Sequence, residues 1–166
     1  MSCIGPFFRF KIPFCPQRDG RTVASPGWEG AGSANRQDPH VQARNIGYAL
    51  DSLHTAARLG CVRFLFCGSQ AEYGIADGVM GEEILCHPVS EYGKDKLEVC
   101  RRAGEEAKAL GIDYIHARIF SVYGPGDHPW SLVSTCLNTF LKGGRMELGE
   151  CTQQWNFLHV RDAARP

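Results

Sequence analysis

The sequence has no surplus of either charge: 18 Lys and Arg balance 18 Asp and Glu. A chain without a basic excess has no bulk attraction for nucleic acid or for an anionic membrane, so neither is expected as a partner. Long apolar runs are also missing, and the stretches present fall far short of a membrane span. The opening MSCIGPFFRFKIPFC is interrupted by Arg9 and Lys11 and is not followed by a small-residue cleavage site. It does not read as a signal peptide, and a cytoplasmic location is expected. There are eight cysteines, but no two are two or three residues apart, which excludes zinc-knuckle spacing. With no secretory signal, free buried thiols are expected rather than disulfides. The six histidines are scattered without ligand spacing, so no metal site is expected. Neither an internal repeat nor a low-complexity tract is found.

What is present suits one globular domain of 166 residues, 43% of them hydrophobic. Residues 1–35 hold four of the nine prolines and no sustained periodicity. Residues 1–27 are therefore read as an irregular segment with one short strand near Phe7–Phe10, and 28–166 as the folded domain. Between Gln37 and Leu59 the apolar positions Val41, Ile46, Ala49, Leu50, Leu53, Ala56 and Ala57 recur at helical spacing, with Gly60 as the stop. CVRFLFC (61–67) predicts a buried parallel strand. A glycine-containing loop follows, then Ser90 as N-cap of a helix over 91–110 closed by Gly111. IDYIHARIF (112–120) reads as a second strand. YGPGDHP is a turn, and Pro129 opens a third helix to about Leu141. MELGE and WNFLHV read as short strands. Such alternation predicts an α/β fold with a parallel sheet, whose functional residues lie beyond the carboxyl ends of the strands.

Ser69 falls just past the first of these strands, and Ser121 to Asp127 just past the second. Tyr92 and Lys96 are four residues apart, which puts both on one face of the 91–110 helix. A tyrosine hydroxyl is a poor base at neutral pH, and a nearby ammonium favours the phenolate. Tyr-x-x-x-Lys is thus a chemical recipe for an acid/base aimed at a carbinol or carbonyl oxygen. Ser69 could add a hydrogen bond to the same oxygen. Spacing alone is unspecific, since such pairs occur on many solvated helices. The order strand, Ser69, loop, Tyr–Lys helix, strand is what singles this pair out.

Four consecutive segments carry a family resemblance. FLFCGSQAEYG (64–74) resembles the strand-and-serine segment of the extended short-chain dehydrogenase/reductases, the NAD-dependent epimerases and dehydratases. SEYGKDKLEVC (90–100) is similar to their Tyr-x-x-x-Lys helix. ARIFSVYGPGD (117–127) looks like their Tyr-Gly-Pro-Gly turn, and WNFLHVRDAA (155–164) like the strand and helix start that follow. The resemblance covers about residues 28–166. It implies the carboxyl-terminal half of a Rossmann-like, doubly wound parallel sheet. It implies Tyr92 as acid/base, Lys96 on the nicotinamide ribose, and Ser69 on the reacting oxygen. Asn45 would lie beside the cofactor, NAD or NADP, and Phe120 and Ser121 would line the nicotinamide and sugar region. Ser121 stands where many members have Asn. The substrate implied is a nucleotide-activated sugar, and a homodimer through helices 37–59 and 91–110 is the implied assembly.

Two departures shape the expected chemistry. Where the family's dehydratases carry an Asp-Glu pair after the serine or threonine, this chain has Gln70 and Ala71. Neither is an acid or a base, so epimerisation or reduction is expected rather than dehydration. Glu72 is one position further on, and strand geometry would point it elsewhere. The family's opening Gly-x-x-Gly-x-x-Gly turn, which cradles a pyrophosphate at a helix N-terminus, has no counterpart. Gly27, Gly30 and Gly32 have the wrong spacing and read as an ordinary loop. The expectation is a chain shortened at both ends. It is either an NAD(P)-dependent sugar epimerase or reductase, or a non-catalytic remnant persisting as an interaction module. Trp28, Trp130 and Trp155 read as core or interface fillers.

Overall fold

The computed structural model describes residues 20–165 apart from 33, 77, 153 and 154. The strand expected near Phe7–Phe10 lies outside the described residues. The chain divides into two compact units, Met1–Ala117 and Arg118–Pro166.

The first unit is built on three strands: β1 (Thr22–Ser25), β2 (Arg63–Ser69) and β3 (Asp113–Ile119), in the order β1-β2-β3, with β3 running on into the second unit. β1 pairs with β2 in parallel, Val23 opposite Phe64 and Ser25 opposite Phe66. This corrects the expectation that residues 1–27 are irregular, because Thr22–Ser25 is a strand and directly precedes the glycine cluster. Two helices, α1 (Pro39–Arg58) and α2 (Glu91–Leu110), pack on each other and on β2.

Local chemistry sets their ends. Asp38 caps α1 by accepting from the amides of His40 and Val41 at 2.9 and 3.2 Å, and Pro39 occupies the first turn, where a missing N–H costs nothing. Ser90 caps α2 through Gly93 N at 3.0 Å. Gly111, at φ 69°, ends it in the left-handed conformation that glycine tolerates.

Phe64, Phe66, Leu53, Val99, Ala103 and Ala107 are all fully buried and form the centre of one core. Each such phenyl ring stabilises the fold by roughly 2–3 kcal/mol. The β2 strand was expected to be buried on both faces. Instead Phe64 and Phe66 are buried while Arg63, Leu65 and Cys67 are half-buried. Alternation is what a strand shows when its helices pack on one face.

The second unit holds β4 (Ser121–Tyr123) and β5 (Phe157–His159), paired in parallel, with α3 (Leu132–Leu141) and α4 (Val160–Ala163). Ser131 caps α3, so the helix begins at Leu132, three residues after the Pro129 start that was expected. MELGE forms no strand. Trp130 and Trp155 are exposed and fill no core. No helix among the described residues is long and apolar enough to cross a membrane.

Candidate active site

The end of β2 and the start of α2 meet because of two glycines. Gly74, at φ 74°, turns the chain after Tyr73, and a Cβ there would collide with the His87 carbonyl. Gly93 lies in the first turn of α2, where a Cβ would collide with the Ala71 carbonyl. The lack of a side chain lets α2 lie against the 3₁₀ turn Gln70–Glu72 that follows β2. Ser69 and Tyr92 flank that close approach, and Lys96 is one helical turn further on.

All three are nearly buried, with 8%, 8% and 3% of their surfaces exposed. Lys96 Nζ donates to the Cys67 carbonyl at 2.6 Å. Its ammonium also sits over three rings, at 4.2 Å from the centroid of Trp28, 4.7 Å from Phe66 and 5.7 Å from Tyr92. Burial pulls its pKa down from 10.5 to about 8, against the opposing pull of Cys67 and Glu72. Burial also raises the Cys67 thiol, with Lys96 opposing. Tyr92 is boxed in by the edge of Trp28 at 5.9 Å and by the Arg36 guanidinium, 4.1 Å from its ring centroid.

Trp28 is the residue that sequence reasoning undervalued. It touches Phe66, Tyr92 and Lys96, and its indole N–H donates to Gln42 Oε1 at 2.7 Å. No local pattern could reveal this, because the residues its ring touches are tens of residues away. Gln42 in turn donates to the carbonyls of Gly30 and Asn35, so the glycine cluster is a loop tied down onto α1.

Asn45 does similar work. Its amide donates to the carbonyls of Glu29 and Val41, both at 3.0 Å, and accepts from Glu29 N at 2.7 Å. Both its donors are therefore spent on backbone. A recess of ≈ 200 Å³ opens where this loop meets α1, lined by Ser25, Gly27, Trp28, Asn45 and Tyr48 among others. The trio does not line it, but Trp28 joins the two.

Glu72 belongs to the 3₁₀ turn, not to a strand, and points inward: it is wholly buried and faces His116. Ligand atoms of Glu72, Cys100 and His116 lie within 4.8 Å of one another. The imidazole and carboxylate are at hydrogen-bond distances of 2.9 and 3.0 Å, and a Cβ on Gly68 would collide with both. No disulfide joins the cysteines among the described residues, but only Cys61 is buried; four are half-buried and Cys151 is exposed.

Phe120 and Ser121 fall in the second unit. Phe120 separates β3 from β4 and is half-buried. Ser121 is the first residue of β4, not of a loop, and its hydroxyl accepts from Trp155 Nε1 at 2.6 Å.

A parallel sheet with Ser69 as the last residue of β2, not past it as expected, and with tyrosine and lysine on the next long helix, defines a partial nucleotide-binding fold of Rossmann type. The model of the NAD dependent epimerase/dehydratase family matches residues 21–166, and the chain belongs to that family. An uncharacterized UDP-glucose epimerase of Bacillus subtilis, YtcB, is 27% identical over 128 residues, covering 76% of this chain and 40% of YtcB. The structure of MoeE5 in complex with UDP-glucose and NAD is 30% identical with a TM-score of 0.72, over 86% of this chain and 49% of MoeE5. The UDP-glucose 4-epimerase of Thermotoga maritima, solved with UDP-glucose, shares the fold at a TM-score of 0.74 and 23% identity, over 86% of this chain and 48% of its own. The chain thus spans about half the length of these relatives or less.

Proposed function

We propose that this chain carries the catalytic half of an NAD-dependent enzyme that oxidises and re-reduces a hydroxyl of a UDP-sugar, in the manner of an epimerase. The observation that supports the reading is that Tyr92 and Lys96, one turn apart on α2, lie on the helix that packs against the end of β2, where Ser69 stands. The names of the relatives supply the sugar nucleotide and NAD. The residues present suit the nicotinamide–ribose end of such a cofactor. Lys96 has three N–H donors and spends one on Cys67. Ser69 Oγ accepts from Ala71 N at 3.2 Å and keeps its own proton to donate. Asn45 contributes through the loop it fixes. No glycine turn of phosphate-cradling spacing occurs among the described residues, so a pyrophosphate site is not assigned to them.

NAD, when bound, accepts and returns the hydride. In this reading Tyr92 removes the proton of the sugar hydroxyl and later gives it back. Ser69 donates to the same oxygen and stabilises the charge that develops there. Lys96 supplies a positive charge beside Tyr92, 5.7 Å from its ring centroid. Gln70 and Ala71 offer no acid or base for removing water, which favours epimerisation or reduction over dehydration. A cytoplasmic location and a homodimer through α1 and α2 are part of the proposal.

NAD at millimolar concentration should raise the melting temperature of the purified chain, as any ligand of the native state must. Tyr92→Phe should abolish turnover of UDP-glucose and leave that rise intact. No rise with NAD would sink catalysis by this chain alone and favour the non-catalytic reading.

A further inference from the structure

Glu72 has no part in the proposed chemistry, yet it is wholly buried. Carboxylates are rarely buried unless they are paired and hydrogen-bonded. This one accepts from the backbone N–H of Ser69 at 2.7 Å and faces His116 Nε2 at 2.9 and 3.0 Å. His116 Nδ1 meets the Tyr114 hydroxyl at 2.8 Å. Tyr114 and His116 are two apart on β3 and so share a face. The His116 ring stacks on Phe66, with centroids 5.6 Å apart. Gly68 leaves the space that this arrangement occupies.

The chain of contacts ends on the serine. Glu72 takes the Ser69 N–H, and Ser69 Oγ takes the Ala71 N–H, in a reciprocal capping box. A hydroxyl has one proton and two lone pairs. With one lone pair committed to Ala71, the Ser69 proton is left to donate outward. A capping box needs only local partners. Here the carboxylate is anchored from beneath by a histidine 44 residues away.

We propose that Glu72, fixed by the buried His116–Tyr114 pair, is the positioning residue of Ser69 and presets its hydroxyl to donate to the substrate oxygen. The inference rests on the role assigned to Ser69 above. Glu72→Gln keeps an acceptor for the Ser69 amide and offers an N–H to the imidazole, whereas Glu72→Ala keeps neither.

The full chain, with UDP-glucose and NAD as probes, is the test. Glu72→Ala should lower kcat on the order of 100-fold with little change in KM, because a misplaced group costs rate before it costs binding. Glu72→Gln should restore most of that loss. In amide NMR spectra the Ser69 proton should lie downfield and exchange slowly in the unaltered and Gln chains, and lose both properties in the Ala chain. A Glu72→Ala chain that melts earlier but turns over normally would overturn the proposal, as would an unmoved Ser69 amide. Should Glu72→Ala fail to fold, His116→Gln frees the carboxylate without touching the capping box, and an unchanged kcat there also overturns it. Turnover that survives Ser69→Ala would instead defeat the catalytic reading, while the Ser69 amide still reports whether Glu72 holds the serine.

Discussion

The Lys96 ammonium lies over the rings of Trp28, Phe66 and Tyr92, with the Cys67 carbonyl as its hydrogen-bond partner. Rings and one carbonyl replace only part of what water gives a charge, and the drop in pKa to about 8 measures the difference. Below that pH the lysine is charged in the folded and the unfolded chain alike, and the full burial cost is present. Between about 8 and 10.5 the unfolded chain binds more protons than the folded one. Stability contributed by this group therefore rises with pH across that window. A shift of this size corresponds to about 3 kcal/mol. Lys96→Met, which never carries the charge, should show its largest relative stability below pH 8 and lose that advantage by pH 10.5. Urea unfolding of both chains across the window measures it, and a constant gap between them would show that Lys96 titrates normally. Trp28→Ala strips away one wall of this box and should alter the lysine's environment without touching the trio itself.

At the scale of elements, the junction between the 3₁₀ turn and α2 turns on whether a single Cβ fits. Alanine is a better helix former than glycine by up to about 1 kcal/mol, so Gly→Ala in a helix ordinarily stabilises. At Gly93 the added atom would strike the Ala71 backbone carbonyl, which cannot rotate away, and the Pro88 side chain at 3.1 Å. Overpacking should win there, with a net loss of roughly 1–3 kcal/mol. At Gly104 in the same helix the nearest atoms belong to Tyr114 at 3.8 and 4.0 Å, an ordinary contact. Gly104→Ala should therefore gain roughly 0.5–1 kcal/mol. Thermal denaturation of the two variants checks the pair, and a stabilised Gly93→Ala chain would mean the junction is looser than described. The sequence makes α1 and α2 plain, since their apolar spacing and the Ser90 and Gly111 caps are local signals. It makes β1 nearly invisible. TVAS is four residues long and followed by Pro26 and Gly27, and only pairing with β2 makes it a strand. Glu72 departs from expectation for a related reason: β2 runs on to Ser69 and passes directly into the 3₁₀ turn Gln70–Glu72, which swings the side chain inward, and nothing in the spacing announces that turn.

Across the whole molecule, burial is uneven. Every buried residue among those described precedes Asp113 in the chain, and Ile112 is the last of them. Helix α3, by contrast, has no buried residue, and Leu132, Leu137, Phe140 and Leu141 stand exposed along it. Apolar burial is the main favourable term in folding, and local stability follows it. Amides of α2 near Val99 and Ala103 should exchange with solvent only through global unfolding. Those of α3 should exchange by local opening, faster by about two orders of magnitude, which corresponds to roughly 3 kcal/mol less protection. Exchange measured by mass spectrometry on the full chain reads both helices at once. Equal protection of the two helices would mean that the apolar face of α3 is covered in solution. Slow exchange confined to α2 and the strands beside it would instead place the stable nucleus of the protein around the Ser69, Tyr92 and Lys96 junction, where a site that needs fixed geometry gains most from it.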